Sequence, residues 1–229
     1  MAGPIRATEL MFDDAELARR ARTTLAGAER GTLMVATGSA ARLRECEVQV
    51  RDDGGEPVVG SPCPIVLAPN RTHAALLLWP NEQYGVGLTL IGRIAPAGQS
   101  PGGGASFALS VERVLASCPK PSFTSSRMQI PLALYAGAEP DAIAANGWRI
   151  ARHLTEAHQP QVRSLAAGLT GQPVDEVIAA QVSRLGCDRL QLWWVGSAGA
   201  SVREVAFDRP AGDLADLGRL VRNLLGPCG

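Results

Sequence analysis

The stretch that decides the fold is "ECEVQVRDDGGEPVVG", Glu45 to Gly60. Cys46, Val48 and Val50 alternate with Glu45, Glu47 and Gln49, the period-two pattern of a strand with one buried face. "DDGGE" then supplies acidic and glycine residues for a tight reversal, and "PVVGSPCPIVL" resumes an apolar run. Pro62 and Pro64 lack a ladder N–H, so that end belongs to an edge or a loop. Strand texture continues on both sides of this hairpin. "GTLMVAT" precedes it, and "THAALLLW", "GVGLTLIGRI", "FALSVERVLA" and "RMQIPLALY" follow. "AGQSPGGGAS" reads as a loop and lacks the Gly-Lys-Ser/Thr of a phosphate-binding turn. Ahead of the strands, "FDDAELARRARTTLAGA" predicts a surface helix. Asp13 and Glu16 stand at capping-box spacing, Leu17, Ala21 and Leu25 share a face, and Arg19, Arg20 and Arg22 point mostly elsewhere.

After about residue 138 the texture changes. "EPDAIAANGWRIARHLTEAH" predicts a helix that Pro160 must kink or end, and "QVRSLAAGL" resumes it. "QPVDEVIAAQVSRLG" places Val174, Val177, Ile178, Val182 and Leu185 on one side of a second helix, with Gly186 as its stop. "DRLQLWWVG" and "SVREVAFD" predict paired strands about a "GSAGA" turn. "DLADLGRLVRNLLG" predicts a last helix capped by Asp213 and ended by Gly226. Strands and helices segregate, which defines an α+β chain with a β half, 1–138, and an α-α-β-β-α half, 139–229.

The 229 residues suffice to bury a core without staples. A formal net charge of zero, with no basic stripe, argues against nucleic acid as a partner. No apolar run approaches bilayer length, which argues against a membrane span. The first residues hold no apolar signal-peptide core. With five cysteines, an odd number, the expected compartment is a reducing cytoplasm with free thiols.

Two of the three histidines, His153 and His158, fall in one predicted helix. Five residues turn an α-helix by roughly 500°, which sets them roughly 140° apart. An unbroken helix cannot offer both to one metal ion, and a kink at Pro160 comes too late to help, so no metal site is expected. One histidine alone could still ligate a haem iron, which needs a single axial ligand. Cys63 and Cys118 each precede a proline, a context that leaves a sulfur open to haem and is also compatible with a plain loop thiol. Trp193 and Trp194, adjacent in a strand, must face opposite sides, one towards the core. Three histidines and no ordered Ser/His/Asp set make a catalytic triad a poor reading.

"HLTEAH", "CDRLQLWWV", "VAFDRP" and "DLADLGRLVRNLL" together resemble the C-terminal domain of the haem-utilisation (HugZ-type) proteins. In that family a six-stranded split β-barrel of the pyridoxamine-phosphate-oxidase kind, an FMN-binding fold, precedes this domain. "FDDAELARRARTTLAGAERGTLMVAT", "GSPCPIVL" and "LTLIGRIAPAG" resemble its first helix and barrel strands. His153 and His158 match the family's two histidines. Thr155, Ala157 and Pro160 replace its Asn, second acidic residue and last Asp. The segment that grips the flavin phosphate in relatives is not visible between "THAALLLWPNEQYG" and "VGLTLIGR". "NRTH", Asn70 to His73, has similar letters but stands before the strand.

A phosphate needs converging backbone N–H groups and Arg, Lys, Ser or Thr side chains. Without that segment FMN binding is not expected, and flavin redox chemistry goes with it. The resemblance therefore implies a homodimeric, non-catalytic protein that binds or senses haem, with His153, His158, Cys63 and Cys118 as candidate contacts. Two alternatives stay open: a haem-degrading or flavin-dependent oxidoreductase, and a dimeric protein-interaction module without a small ligand.

Overall fold

The computed structural model describes residues 12–37, 42–61, 65, 67, 72–79, 86–99, 104–118, 126–197 and 199–226. The chain divides into two compact units that part between Pro140 and Asp141.

The first unit holds helix α1 (Asp14–Gly27), strands β1 (Arg30–Thr37), β2 (Arg42–Asp53), β3 (Glu56–Ser61), β4 (His73–Leu78), β5 (Gly87–Gln99), β6 (Ala105–Cys118) and β7 (Ser126–Ile130), and the short helix α2 (Leu132–Gly137). All neighbours pair antiparallel in the order β3-β2-β1-β4-β5-β6-β7. β3 also pairs with β6, Val59 opposite Phe107, which closes six strands into a barrel and leaves β7 as an extra strand on β6. The β2–β3 hairpin carries β3 to where it can meet β6. Asp53 and Glu56 face each other across Gly54 and Gly55, both at positive φ, where glycine is at no steric cost. Cys46, Val48, Val50 and Val59 point inward with Leu33, Leu76, Leu90 and Leu109. At Gly92 the β5–β6 register slips. A side chain there would run into the Ser110 carbonyl, so glycine permits the bulge that bends the long strand around the barrel.

Helix α1 starts as read: the Glu16 amide donates to Asp13 Oδ1 at 2.7 Å, and Leu17, Ala21 and Leu25 are buried. Arg22 corrects the reading of an outward arginine face. It is 5% exposed and its Nη2 reaches Asp52 Oδ2 at 3.4 Å. Asp52 Oδ1 accepts from the Gly55 amide at 2.7 Å, and the Tyr135 hydroxyl donates to the Gly55 carbonyl at 2.9 Å. The Arg22 guanidinium stands 5.5 Å from the Tyr135 ring centroid. Burial pushes the Tyr135 hydroxyl far above the usual phenol range, against the pull of the Arg22 charge. "RMQIPLALY" is also not one strand: β7 stops at Ile130, and Pro131 caps α2.

The second unit holds helices α3 (Ala142–Ala157) and α4 (Gln159–Thr170), strands β8 (Val177–Leu185), β9 (Arg189–Gly196) and β10 (Gly199–Ala206), and helix α5 (Leu214–Leu225). The strands form an antiparallel sheet, β10-β9-β8. Val182, Leu192 and Trp194 lie in a core with Leu154, Val162, Leu217 and Val221 of the three helices. Asp213 caps α5 through the Asp216 amide at 2.7 Å, as its position predicts. Trp194 is buried at 4% and Trp193 exposed at 45%, the alternation expected of that pair.

One element differs from its periodicity. "QPVDEVIAAQVSRLG" is a 3-10 turn, Val174–Glu176, followed by strand β8 rather than a helix, so this unit has three strands where two were expected. The register slips twice, between Val177 and Ala179 and between Val182 and Arg184. Each slip adds a residue, so buried Val177, Ala180, Val182 and Leu185 recur at three, two and three, a spacing that imitates a helix face. Val174 and Ile178, assigned to that face, are exposed. No helix among the described residues is long and apolar enough to cross a membrane.

Candidate functional site

The two histidines of the second unit meet. Helix α3 ends at Ala157 and α4 begins at Gln159, with His158 the junction residue of both at φ −123° and ψ 29°. The helical ladder survives on each side: the His158 amide donates to the Leu154 carbonyl, and the Val162 amide to the His158 carbonyl, both at 3.0 Å. Pro160 occupies the first turn of α4, where its missing N–H costs nothing. The chain therefore turns at His158 itself, two residues before the proline. The separation of roughly 140°, which assumes one continuous helix, does not apply. The imidazole centroids stand 5.3 Å apart with ring planes at 81°, an edge-to-face contact. His153 is exposed and His158 half-buried.

Beside this junction runs an open groove. Thr155 and Gln159, which flank His158 in the chain, line one side; Ala179, Gln181, Trp193 and Val195 line the other. Both helix residues also seal the β8 edge. Thr155 Oγ1 accepts from the Val182 amide at 3.1 Å, and Gln159 Nε2 donates to the Ala180 carbonyl at 3.1 Å. Gln159 Oε1 is buried without a hydrogen-bond partner. Neither role was legible, because a polar residue on a helix carries no sign of the strand edge it will meet. Trp193, Val195 and Val202 belong to the exposed face of the sheet, and Ile178 is 69% exposed at the bulge.

The remaining candidates are not brought to this junction. Cys63 lies outside the described residues, as do Pro62, Pro64, Asn70 and the segment 80–85, from which the flavin-phosphate grip is missing by sequence. Cys118 ends β6 in the first unit, its backbone opposite Ser126. His73, the third histidine, is also in that unit, with Nε2 3.3 Å from Glu112 on the exposed barrel surface. Among the described residues no group of three or more His, Cys, Asp or Glu side chains is placed to hold a metal ion. Cys46 is a buried free thiol and Cys187 an exposed one.

A haem would need one imidazole nitrogen as axial ligand, which exposed His153 or half-buried His158 would supply, and the groove's Trp193 and Val195 would meet a macrocycle edge. In chemistry of donor and lining, the residues present fit such a group.

No family model matches this chain, and no curated protein matches its sequence. Among solved structures it is similar to a haem binding protein from Mycobacterium smegmatis, at 18% identity, 94% coverage of this chain, 98% of that one and a TM-score of 0.46. It is also similar to a protein of unknown function from Agrobacterium tumefaciens strain C58, at 14% identity, 99% and 100% coverage and a TM-score of 0.36. The chain itself defines the class: an α+β protein with a closed six-stranded split-barrel unit and a second unit of three helices on a three-stranded sheet.

Proposed function

We propose that the protein binds haem, or a related tetrapyrrole, without turning it over, and that it uses a split-barrel scaffold from which FMN binding has been lost. The observation that supports this is the pair of imidazoles brought together at the α3–α4 junction beside an apolar groove. His158 or His153 would supply the axial nitrogen, and Trp193 and Val195 would cover part of the macrocycle. Cys118 and Cys63 remain the thiol candidates. The protein's part is to bind, orient and shield; redox chemistry belongs to the iron.

Titration of the purified protein with haemin tests the proposal. A Soret shift that saturates at micromolar haemin, and is lost on His158→Ala or His153→Ala, is the expected result. No shift at that concentration removes the reading. A protein that purifies yellow, with flavin absorption bands, would favour the oxidoreductase alternative.

A second reading is favoured by the uncovered sheet face. Trp193, Val195 and Val202 are 45%, 38% and 49% exposed on that one face, and contiguous exposed apolar surface of this kind marks interfaces. In this reading the face pairs two copies into a homodimer or holds a protein partner. Trp193→Arg is expected to convert a dimer to a monomer by sedimentation; an unchanged mass would place the dimer contact elsewhere.

A further inference from the structure

We infer that His153 and His158 form a two-imidazole chelate for a first-row divalent transition-metal ion. This does not rest on the haem reading. An imidazole nitrogen binds such an ion at about 2.0–2.1 Å, which puts the ring centroid about 3.2 Å from the metal; two such rings in square-planar or tetrahedral array then have centroids about 4.5–5.2 Å apart. The observed 5.3 Å is within a small side-chain adjustment of that distance. The rings touch edge to face, at 81°, so bringing one nitrogen of each onto a shared ion takes a rotation of the side chains, which the exposure of His153 allows.

The surroundings agree. The guanidinium of Arg152, the cation next in sequence to His153, is engaged over the Trp148 ring at 4.7 Å, one turn back along α3. Glu156 supplies the one carboxylate within α3, one turn beyond His153 on the same face, and it is exposed. The class of ion follows from the donors. Imidazole suits Cu²⁺, Ni²⁺ and Zn²⁺, and disfavours Mg²⁺ and Ca²⁺, which take oxygen. Since no third protein ligand is in place among the described residues, water fills the remaining positions and the ion is exchangeable.

The test uses the full chain, free of haem, titrated with Cu²⁺, Ni²⁺ and Mg²⁺ by calorimetry, with the Cu²⁺ complex read by electron paramagnetic resonance. The expected result is one Cu²⁺ per chain, tighter than Ni²⁺, with no Mg²⁺ heat and hyperfine structure from two nitrogens. His153→Ala and His158→Ala should each lower the affinity about tenfold or more, because each removes an intramolecular contact of high effective concentration. His73→Ala, in the other unit, should leave it unchanged. Both histidines lie outside the buried core, and far-ultraviolet circular dichroism checks that the variants fold; His153→Asn and His158→Asn serve if an alanine variant does not. Retention of Cu²⁺ affinity in either variant, or a single-nitrogen signal, would overturn the chelate. Haemin is absent throughout, so failure here leaves the haem reading standing, and failure of the Soret titration leaves the chelate standing.

Discussion

Arg22 is buried with Nε and Nη1 unpartnered among the described residues, while Nη2 reaches Asp52. Removing one partner of a buried ion pair is costly because it leaves the other charge buried and uncompensated, most of all when the charge left behind is the more deeply buried one. Asp52→Ala is therefore expected to destabilise the protein by about 3–5 kcal/mol. Arg22→Met removes the cation together with its unmet donors and leaves Asp52, the more exposed partner, its bond to the Gly55 amide, so its cost should be the smaller of the two. Urea unfolding of the two variants checks the order, and a larger loss for Arg22→Met would contradict it. Asp52's place in the turn was legible from "DDGGE"; its partner thirty residues earlier was not, since a charge at the edge of the apolar stripe of α1 is read as outward and nothing local names the carboxylate that lets it be buried. Asp216 carries a pH dependence. Its carboxylate accepts from Arg209 at 2.6 and 2.7 Å, from the Gly212 amide at 3.1 Å and from Arg219 at 3.0 Å. These donors, the Arg209 guanidinium first, hold its pKa well below the usual carboxylate range. A folded pKa below the unfolded one means stability that is fully present above the ordinary carboxylate range, about pH 4, and is lost as pH falls towards the folded value. Asp216→Asn should lower the urea midpoint at pH 7, and the gap from the parent should narrow progressively below about pH 4. A gap independent of pH would contradict this.

At the scale of the element, a strand is recognised by period two only while its ladder stays regular. Glu45 to Val50 keeps that period and was read without ambiguity. β8 does not, and its two register slips gave Val177, Ala180, Val182 and Leu185 a helical disguise. The residue at which α3 turns into α4 was not legible, for a related reason. Pro160 announces an interruption, but the backbone angles that absorb it belong to His158, and nothing in "EAHQP" says which residue will take them. Thr155→Val tests how the helices hold β8: the buried Val182 amide would lose its acceptor, at a cost of about 1–2 kcal/mol by urea unfolding, and an unchanged midpoint would show that the contact contributes nothing. Pro160→Ala restores an N–H at the position where proline blocks a continuous ladder. Helix is then free to run through residue 158 and carry the imidazoles apart, so Cu²⁺ affinity and the haemin response should both fall; values equal to the parent's would mean that the turn does not depend on the proline.

At the scale of the molecule, each unit encloses its own apolar core, Leu33, Leu76, Leu90 and Leu109 in one and Leu154, Leu192, Trp194 and Leu217 in the other. A unit with its own core can fold alone. Residues 141–229 expressed separately should unfold cooperatively in urea, and a broad, non-cooperative loss of signal would contradict two independent cores. The segregation of strands from helices was readable from texture alone. Barrel closure was not readable from any single segment, because the β3–β6 pairing joins residues about fifty positions apart and neither strand's pattern names its partner. Haem ligation and the metal chelate have one thing in common, the meeting of His153 and His158 where two helices join. The most direct measurement is nuclear Overhauser contact between their imidazole protons in the full-length protein. Cross-peaks between the rings, with the sequential helix pattern interrupted at residue 158, are the expected result. No ring-to-ring cross-peak, together with an unbroken helix pattern from residue 150 to 165, would contradict the account.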